Sequence, residues 1–319
     1  MRDEPTVLIL TQPFDVTADG VVDELNRRGV PVFRCNPGDF PCDLTLIAEL
    51  GADWTGELRL PDRRVQLDEI GCAWYRRPTA FEFPDGLNTE ERRWAQHEAR
   101  QAVGGILAAL PRWLNHPCDI ARCEYKPVQL QMARTVGLTV PSTLITNDAE
   151  AARRFAKEHD QIVYKPLSSA GVSEECRYKL VYANRLTADN ITDTVSATAH
   201  LFQRWIEKIY EVRLTVVDDV FFAVRIDAES EAGTVDWRTD YNNLRYTVVD
   251  VPHDVRDHVR SLLDLLRLRF AALDFVVTPS DEWVMLEVNP NGQFAWLQDA
   301  TGVPIAAAIA DALTKGPIP

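Results

Sequence analysis

The chain has 319 residues, too many for one ordinary domain of roughly 100–200 residues, so two or three substructures sharing a cleft are expected. Its formal net charge of −14 repels phosphate and argues against nucleic-acid or anionic-membrane partners, so any phosphate site must be a local basic pocket. No apolar run reaches bilayer-spanning length and Met1-Arg2-Asp3-Glu4-Pro5 carries no signal-peptide core, which predicts a cytoplasmic protein whose six cysteines, with no C-x-x-C pair, stay reduced.

The first element is a buried parallel strand, Thr6-Val7-Leu8-Ile9-Leu10-Thr11, followed by a helix over 16–28 that ends at Gly29 and a second strand at Pro31-Val32-Phe33-Arg34. That order predicts a small α/β domain. Strands follow at 56–60, 64–67 and 71–76, then a long helix from about Thr89 to Leu110. Pro111 and Pro117 bracket the first boundary. A helix over 124–136 is closed by Gly137, a strand runs from Pro141 to Ile145, and Asn147 or Asp148 caps a helix through Lys157. Strands at 161–166 and 177–183 flank the small-residue stretch Ser168-Ser169-Ala170-Gly171. Further strands are expected at 210–217, 220–227, 270–278 and 283–289, with helices at 254–268 and from about Pro304 to Leu313.

The densest chemistry lies between Phe270 and Asn291. Alternation along Trp283-Val284-Met285-Leu286-Glu287-Val288-Asn289 puts Glu287 and Asn289 on one face. A hairpin loop centred between Ser280 and Asp281 sets Asp274 opposite Glu287, with Cβ atoms about 4.5–5.5 Å apart. Two such carboxylates in apolar surroundings need a shared proton or a cation, and with the Asn289 oxygen they form a set suited to Mg²⁺; a structural ion pair of Asp274 with an arginine is the competing reading. Lys165 ends a strand just before the small-residue loop and Lys126 begins a helix, two settings suited to phosphate oxygens but also common for surface lysines. Glu211 and Arg213 share a strand face by their spacing, as an ion pair or as a ribose carboxylate beside a phosphate guanidinium.

Lys126, then Lys165 with Ser168 to Gly171, then Gln203-Arg204-Trp205-Ile206 with Glu211, then Asp274 and Leu286-Glu287-Val288-Asn289, resemble the ordered motifs of the ATP-grasp ligases. Trp74-Tyr75-Arg76-Arg77-Pro78, Val140 to Asp148, Asp236-Trp237-Arg238 and Glu287 to Gln293 resemble more narrowly the maturases of microviridin-type ribosomal peptides, the graspetides. The resemblance implies an α/β (α+β) ATP-grasp fold: a pre-ATP-grasp domain over 1–115, a central subdomain over 116–202 and a C-terminal subdomain over 203–319, with the nucleotide between the last two. It implies ATP and Mg²⁺ as cofactors. Lys126, Lys165 and the Gly171 loop would hold phosphates, Gln203, Trp205, Ile206 and Leu286 the adenine, and Glu211 the ribose. Asp274, Glu287 and Asn289 would hold the metal, with Arg213 and Arg225 as catalytic arginines. Arg76, Arg77, Asp236, Trp237 and Arg238 would meet a precursor peptide with a leader and an acidic core, the last three from a mobile loop. A homodimer stays open. Two other readings remain: a ligase joining amino acids or glutamylating a protein tail, and a nucleotide-binding regulator without turnover.

Overall fold

The computed structural model describes residues 5–315 apart from 169–170, 175–176, 181–182, 231–232, 234 and 240–242. The expected α/β start is present: strand β1 (Thr6–Leu10), helix α1 (Val16–Arg27) and strand β2 (Val32–Cys35) form a parallel βαβ unit, and β1 lies between β2 and β6 (Ile70–Tyr75). The continuous apolar run of β1 reflects burial on both faces, since Val7 and Ile9 enter one core and Leu8 and Leu10 another. Strands β3 (Thr45–Leu50), β4 (Trp54–Arg59) and β5 (Arg64–Gln66) make a separate antiparallel sheet, in which β3 was not foreseen. Helix α2 (Thr89–Ala108) is capped by Asn88 rather than Thr89, through a reciprocal pair with Glu91. The helix expected over 124–136 is α4 (Lys126–Thr135), with Pro127 in its first turn, and a short unforeseen helix α3 (Pro117–Cys123) precedes it.

A four-stranded sheet of order β11-β8-β12-β7 follows, made of β7 (Thr143–Thr146), β8 (Ile162–Lys165), β11 (Asn184–Leu186) and β12 (His200–Arg204). Helix α5 (Ala149–His159), capped by Asp148, covers one face through Ala152 and Ala156. A separate two-stranded antiparallel ribbon is made of β9 (Gly171–Glu174) and β10 (Arg177–Leu180). The last sheet, of order β15-β14-β13-β16-β17, comprises β13 (Tyr210–Val217), β14 (Val220–Ala228), β15 (Leu244–Val249), β16 (Phe270–Val277) and β17 (Trp283–Asn289). Its one face packs on α4 and α6 (His253–Leu266) through Val212, Leu214, Val216, Ala271, Leu273 and Phe275. Its opposite face is split. At one end Val217, Val224 and Phe270 pack against α7 (Ala295–Thr301) and α8 (Ile305–Thr314), while the other end carries Glu211, Arg213 and Asp274 toward a cleft. Among the described residues no helix is long and apolar enough to cross a membrane.

Candidate active site

Two sheets face each other across a cavity of about 1000 Å³, with β8 and β12 above and β13, β16 and β17 below. Alternation supplies the lining: Val163 and Lys165 from β8, Gln203 from β12, Glu211 from β13, and Asp274 and Val276 from β16. On β17 alternation is broken on purpose. Val277↔Trp283, Val276↔Val284 and Phe275↔Met285 centre the hairpin on Ser280, one position from expectation, and a bulge after Phe275 then restores the expected pair Asp274↔Glu287. The bulge sends Met285 and Val288 to the core while Leu286, Glu287 and Asn289 all reach the cavity.

The facing carboxylates are already balanced by the protein's own cations. Lys126 Nζ donates to Glu287 Oε2 at 3.0 Å and Arg213 Nη1 to Asp274 Oδ1 at 2.7 Å. Both readings of Asp274 therefore meet: it pairs with an arginine and it lines the cleft. Burial alone pushes the Glu287 carboxyl up, but Lys126, Lys165 and Arg238 together hold it far below its ordinary value. Asp274 goes the other way, raised by burial and by Glu287 against the pull of Arg213. Glu211 is raised by burial despite Lys208, whose ammonium stands 2.6 Å away. Lys165 is lowered by burial, with Glu287 opposing.

Gln129 is a residue the sequence reading missed. Its amide donates to Val288 O at 2.8 Å and accepts from Val288 N at 2.9 Å, completing the open edge of β17 as a neighbouring strand would. Spacing of three from Lys126 on α4 puts both side chains on the strand that carries Glu287, and that spacing was the available signal. Replacing Gln129 by leucine leaves both backbone groups unpaired and is expected to lower stability by about 1–3 kcal/mol. An unchanged urea midpoint would show that these bonds contribute nothing. Asn291, also unforeseen, lines the cavity with its Oδ1 buried and without a hydrogen-bond partner, and Gln203 Oε1 is in the same state.

The remaining expected residues are placed as follows. Arg213 lies directly opposite Asp274 on the neighbouring strand and donates to it at 2.7 Å, and Arg225 forms a fork with Asp227 at 2.6 and 2.7 Å while lying over the Tyr210 ring. Arg76 and Arg77 both line the cavity, and the Arg76 side chain is fully buried and bound to Asp15 at 2.8 Å and Gln293 Oε1 at 2.7 Å. Among the described residues, Trp237–Thr239 form a short turn in which Trp237 is buried. Trp237 is buried against Trp296, with ring centroids 5.1 Å apart, and Asp236 holds Arg238 at 2.8 and 2.9 Å. Arg238 so fixed lies in the field of Glu287 and Asp274, at the centre of the charged cluster. Trp205 lines the cavity between Arg185 and Lys208, 4.4 and 5.4 Å from its ring, and Ile206 lines it too. Gly171 opens β9, and Ser169 and Ala170 before it lie outside the described residues.

Comparison with known proteins agrees with this geometry. Residues 6–121 match the MvdD pre-ATP grasp domain and residues 130–268 the ATP-grasp domain of prokaryotic glutathione synthetase. No curated protein sequence matches. Among solved structures, a RiPP-associated ATP-grasp ligase from Chryseobacterium gregarium, in complex with ADP and a leader and core peptide, is 30% identical with a TM-score of 0.90, over 97% of this chain and 96% of that one. Macrocyclase MdnC of Microcystis aeruginosa MRC, bound with precursor peptide MdnA, is 28% identical with a TM-score of 0.86, over 98% and 100%. Macrocyclase MdnB of the same organism is 27% identical with a TM-score of 0.82, over 98% and 100%. Two sheets closing on a cluster of lysines and facing carboxylates define an ATP-grasp ligase. Within that class, the chain belongs to the ATP-grasp ligases associated with ribosomally made, modified peptides.

Proposed function

We propose that this chain is an ATP-dependent macrocyclase of the microviridin type, joining side chains of a ribosomal precursor peptide by ω-ester or ω-amide links in the cytoplasm. The observation that carries this reading is the convergence of Lys126, Lys165, Glu211, Asp274, Glu287 and Asn289 on one cavity. An Asp or Glu carboxylate of the peptide attacks the γ-phosphorus of ATP, giving an acyl phosphate and ADP. A Ser/Thr hydroxyl or Lys amine then attacks the acyl carbon, loses a proton and displaces phosphate, so each ring costs the peptide one water.

Lys126 and Lys165 supply ammonium donors for phosphate oxygens, and Glu211 accepts from the ribose. Asp274, Glu287 and Asn289 fit a hard cation, and the orphaned Asn291 oxygen adds a fourth oxygen nearby. Bound Mg²⁺ would neutralise charge on the phosphoryl oxygens. Arg213, beside Asp274 on the next strand, orients it, and Arg238, held by Asp236, stands where phosphoryl charge builds. Arg77 at the cavity wall meets the acidic core, and the wall of β8 and β12 keeps water from the acyl phosphate.

The decisive assay is mass spectrometry of an acidic candidate precursor with enzyme, ATP and Mg²⁺, in which one water mass is lost per ring and mild base methanolysis opens esters but not amides. If the peptide is never dehydrated while free amino acids trigger phosphate release, the amino-acid ligase reading replaces this one.

Lys165 gives a pH test. Burial lowers its pKa in the free protein, and a bound phosphate restores the charge, so ATP affinity should fall as pH rises through that lowered pKa, with proton uptake on binding. Calorimetry in two buffers of different ionisation enthalpy reads the uptake. Lys165→Ala should remove this pH dependence and weaken ATP more than ADP; a retained profile would assign the proton elsewhere.

A further inference from the structure

The carboxylates Glu124, Glu211, Asp236, Asp274 and Glu287 line the cavity, and among the described residues no histidine does. All but one are committed to a cation: Lys208 stands 2.6 Å from Glu211, Arg238 2.8 Å from Asp236, Arg213 2.7 Å from Asp274 and Lys126 3.0 Å from Glu287. Glu124 is the exception. It is exposed, and among the described residues its carboxylate has neither a hydrogen bond nor an ion pair.

Two sets of contacts fix its place. Gln129 Nε2 donates to Cys123 O at 2.6 Å as well as to Val288 O at 2.8 Å, which pins the turn between α3 and α4 beside the stretch of β17 that carries Glu287 and Asn289. Toward the N-terminal sheet, Glu124 lies near Tyr75 at the end of β6, whose phenol is raised by burial and then by Glu124, against Arg100. Arg76 and Arg77, next along the chain, line the same cavity. An uncommitted carboxylate thus stands between the strand of the metal set and the segment bearing Arg77.

Ring closure needs such a group. A hydroxyl becomes acidic only as its oxygen bonds to the acyl carbon, so a base within hydrogen-bond reach speeds the step, and a carboxylate beside a cation takes up a proton less readily. We propose that Glu124 is a catalytic residue, the general base of the second half-reaction. Its carboxylate takes the proton from the attacking hydroxyl or amine as the new C–O or C–N bond forms and the bond from the acyl carbon to the phosphate oxygen breaks. Phosphate leaves with that electron pair, and the proton passes on to it, restoring the carboxylate. The proposal rests on the acyl-phosphate reading above.

The test separates the two half-reactions on the peptide that the dehydration assay identifies, with hydroxylamine added to trap the acyl phosphate as a hydroxamate. Hydroxylamine is unprotonated at neutral pH and attacks without a base. Glu124→Gln should slow ring closure by at least about 10²-fold while hydroxamate formation falls less than about threefold, and Glu124→Asp should recover part of the ring closure. Hydroxamate from the variant also reports that it is folded and phosphorylates the peptide. Ring closure by Glu124→Gln within about threefold of wild type overturns the proposal, as does a loss of hydroxamate in step with the rings, which would place Glu124 in the first half-reaction or in binding. A wild-type enzyme that gives neither rings nor hydroxamate defeats the acyl-phosphate reading and the proposal together.

Discussion

Replacement of Glu287 by glutamine should lower ADP formation by about 10²–10³-fold or more, the scale at which a single preorganised charge is removed from a phosphoryl-transfer site. The substitution keeps the shape of the side chain and removes the one carboxylate on which Lys126, Lys165 and Arg238 all act. It should also destabilise the free protein. Glu287 has a depressed pKa, so its contribution to stability is fully present above the ordinary glutamate range and is lost as pH falls through the lowered value. At neutral pH the variant leaves Lys126 without its 3.0 Å partner, at a cost of about 1.5–3 kcal/mol, and the gap to wild type should close in acid. Facing carboxylates alone would repel, and it is the lysines and arginines brought around them that make the loss of Glu287 destabilising. Urea melts at neutral and acid pH with a coupled ADP assay check both parts. Undiminished turnover would remove Glu287 from the metal set.

Arg76→Met is expected to be the most destabilising of these changes, about 3–5 kcal/mol, because it strands Asp15 as an uncompensated buried charge. The Arg76–Asp15 pair has side-chain exposures of 0% and 1%, and the guanidinium lies over the rings of Trp74 and Phe294. The effect should reach the chemistry as well. Arg76 also donates to the carbonyls of Asn291 and Gly292 and to Gln293, and the Asn291 N–H in turn holds the Asn289 oxygen at 2.9 Å. Loosening that loop should raise the Mg²⁺ concentration needed for half-maximal ADP formation while ATP affinity changes less. Arg76→Lys, which retains a charge beside Asp15 but not the fork, should recover part of the stability and little of the metal response. A Mg²⁺ dependence identical to wild type in a folded Arg76 variant would separate the pair from the site.

Gly292 shows why this loop tolerates little change. A Cβ there would stand 2.3 Å from the Ala272 side chain and 2.7 Å from Arg213 Nη2. Asn115 completes the clamp from the N-terminal side, donating to Phe270 O and Pro290 O at 2.7 and 2.9 Å. In the sequence, Asn115 marks only the end of a proline-bracketed segment, because nothing local reveals that its amide serves carbonyls about 155 and 175 positions away.

What the sequence determined by itself is whatever periodicity and local chemistry encode. The parallel start with β1, the long strands β13, β16 and β17, the helices at 253–266 and 305–314, and the facing of Asp274 and Glu287 were all legible, since alternation and hairpin pairing act over a few residues. Strands β3, β12 and β15 were not, because their identity comes from the partners they pair with. Tertiary structure alone decided which charges meet. Arg76 turned inward to Asp15, Arg225 closed on Asp227, and Arg238 came to the carboxylates, although in sequence all three are arginines beside aromatic or polar neighbours. The physical reason is that a long cationic side chain costs little to redirect on a surface and much to bury unpaired, so its destination follows the carboxylate the fold places within reach.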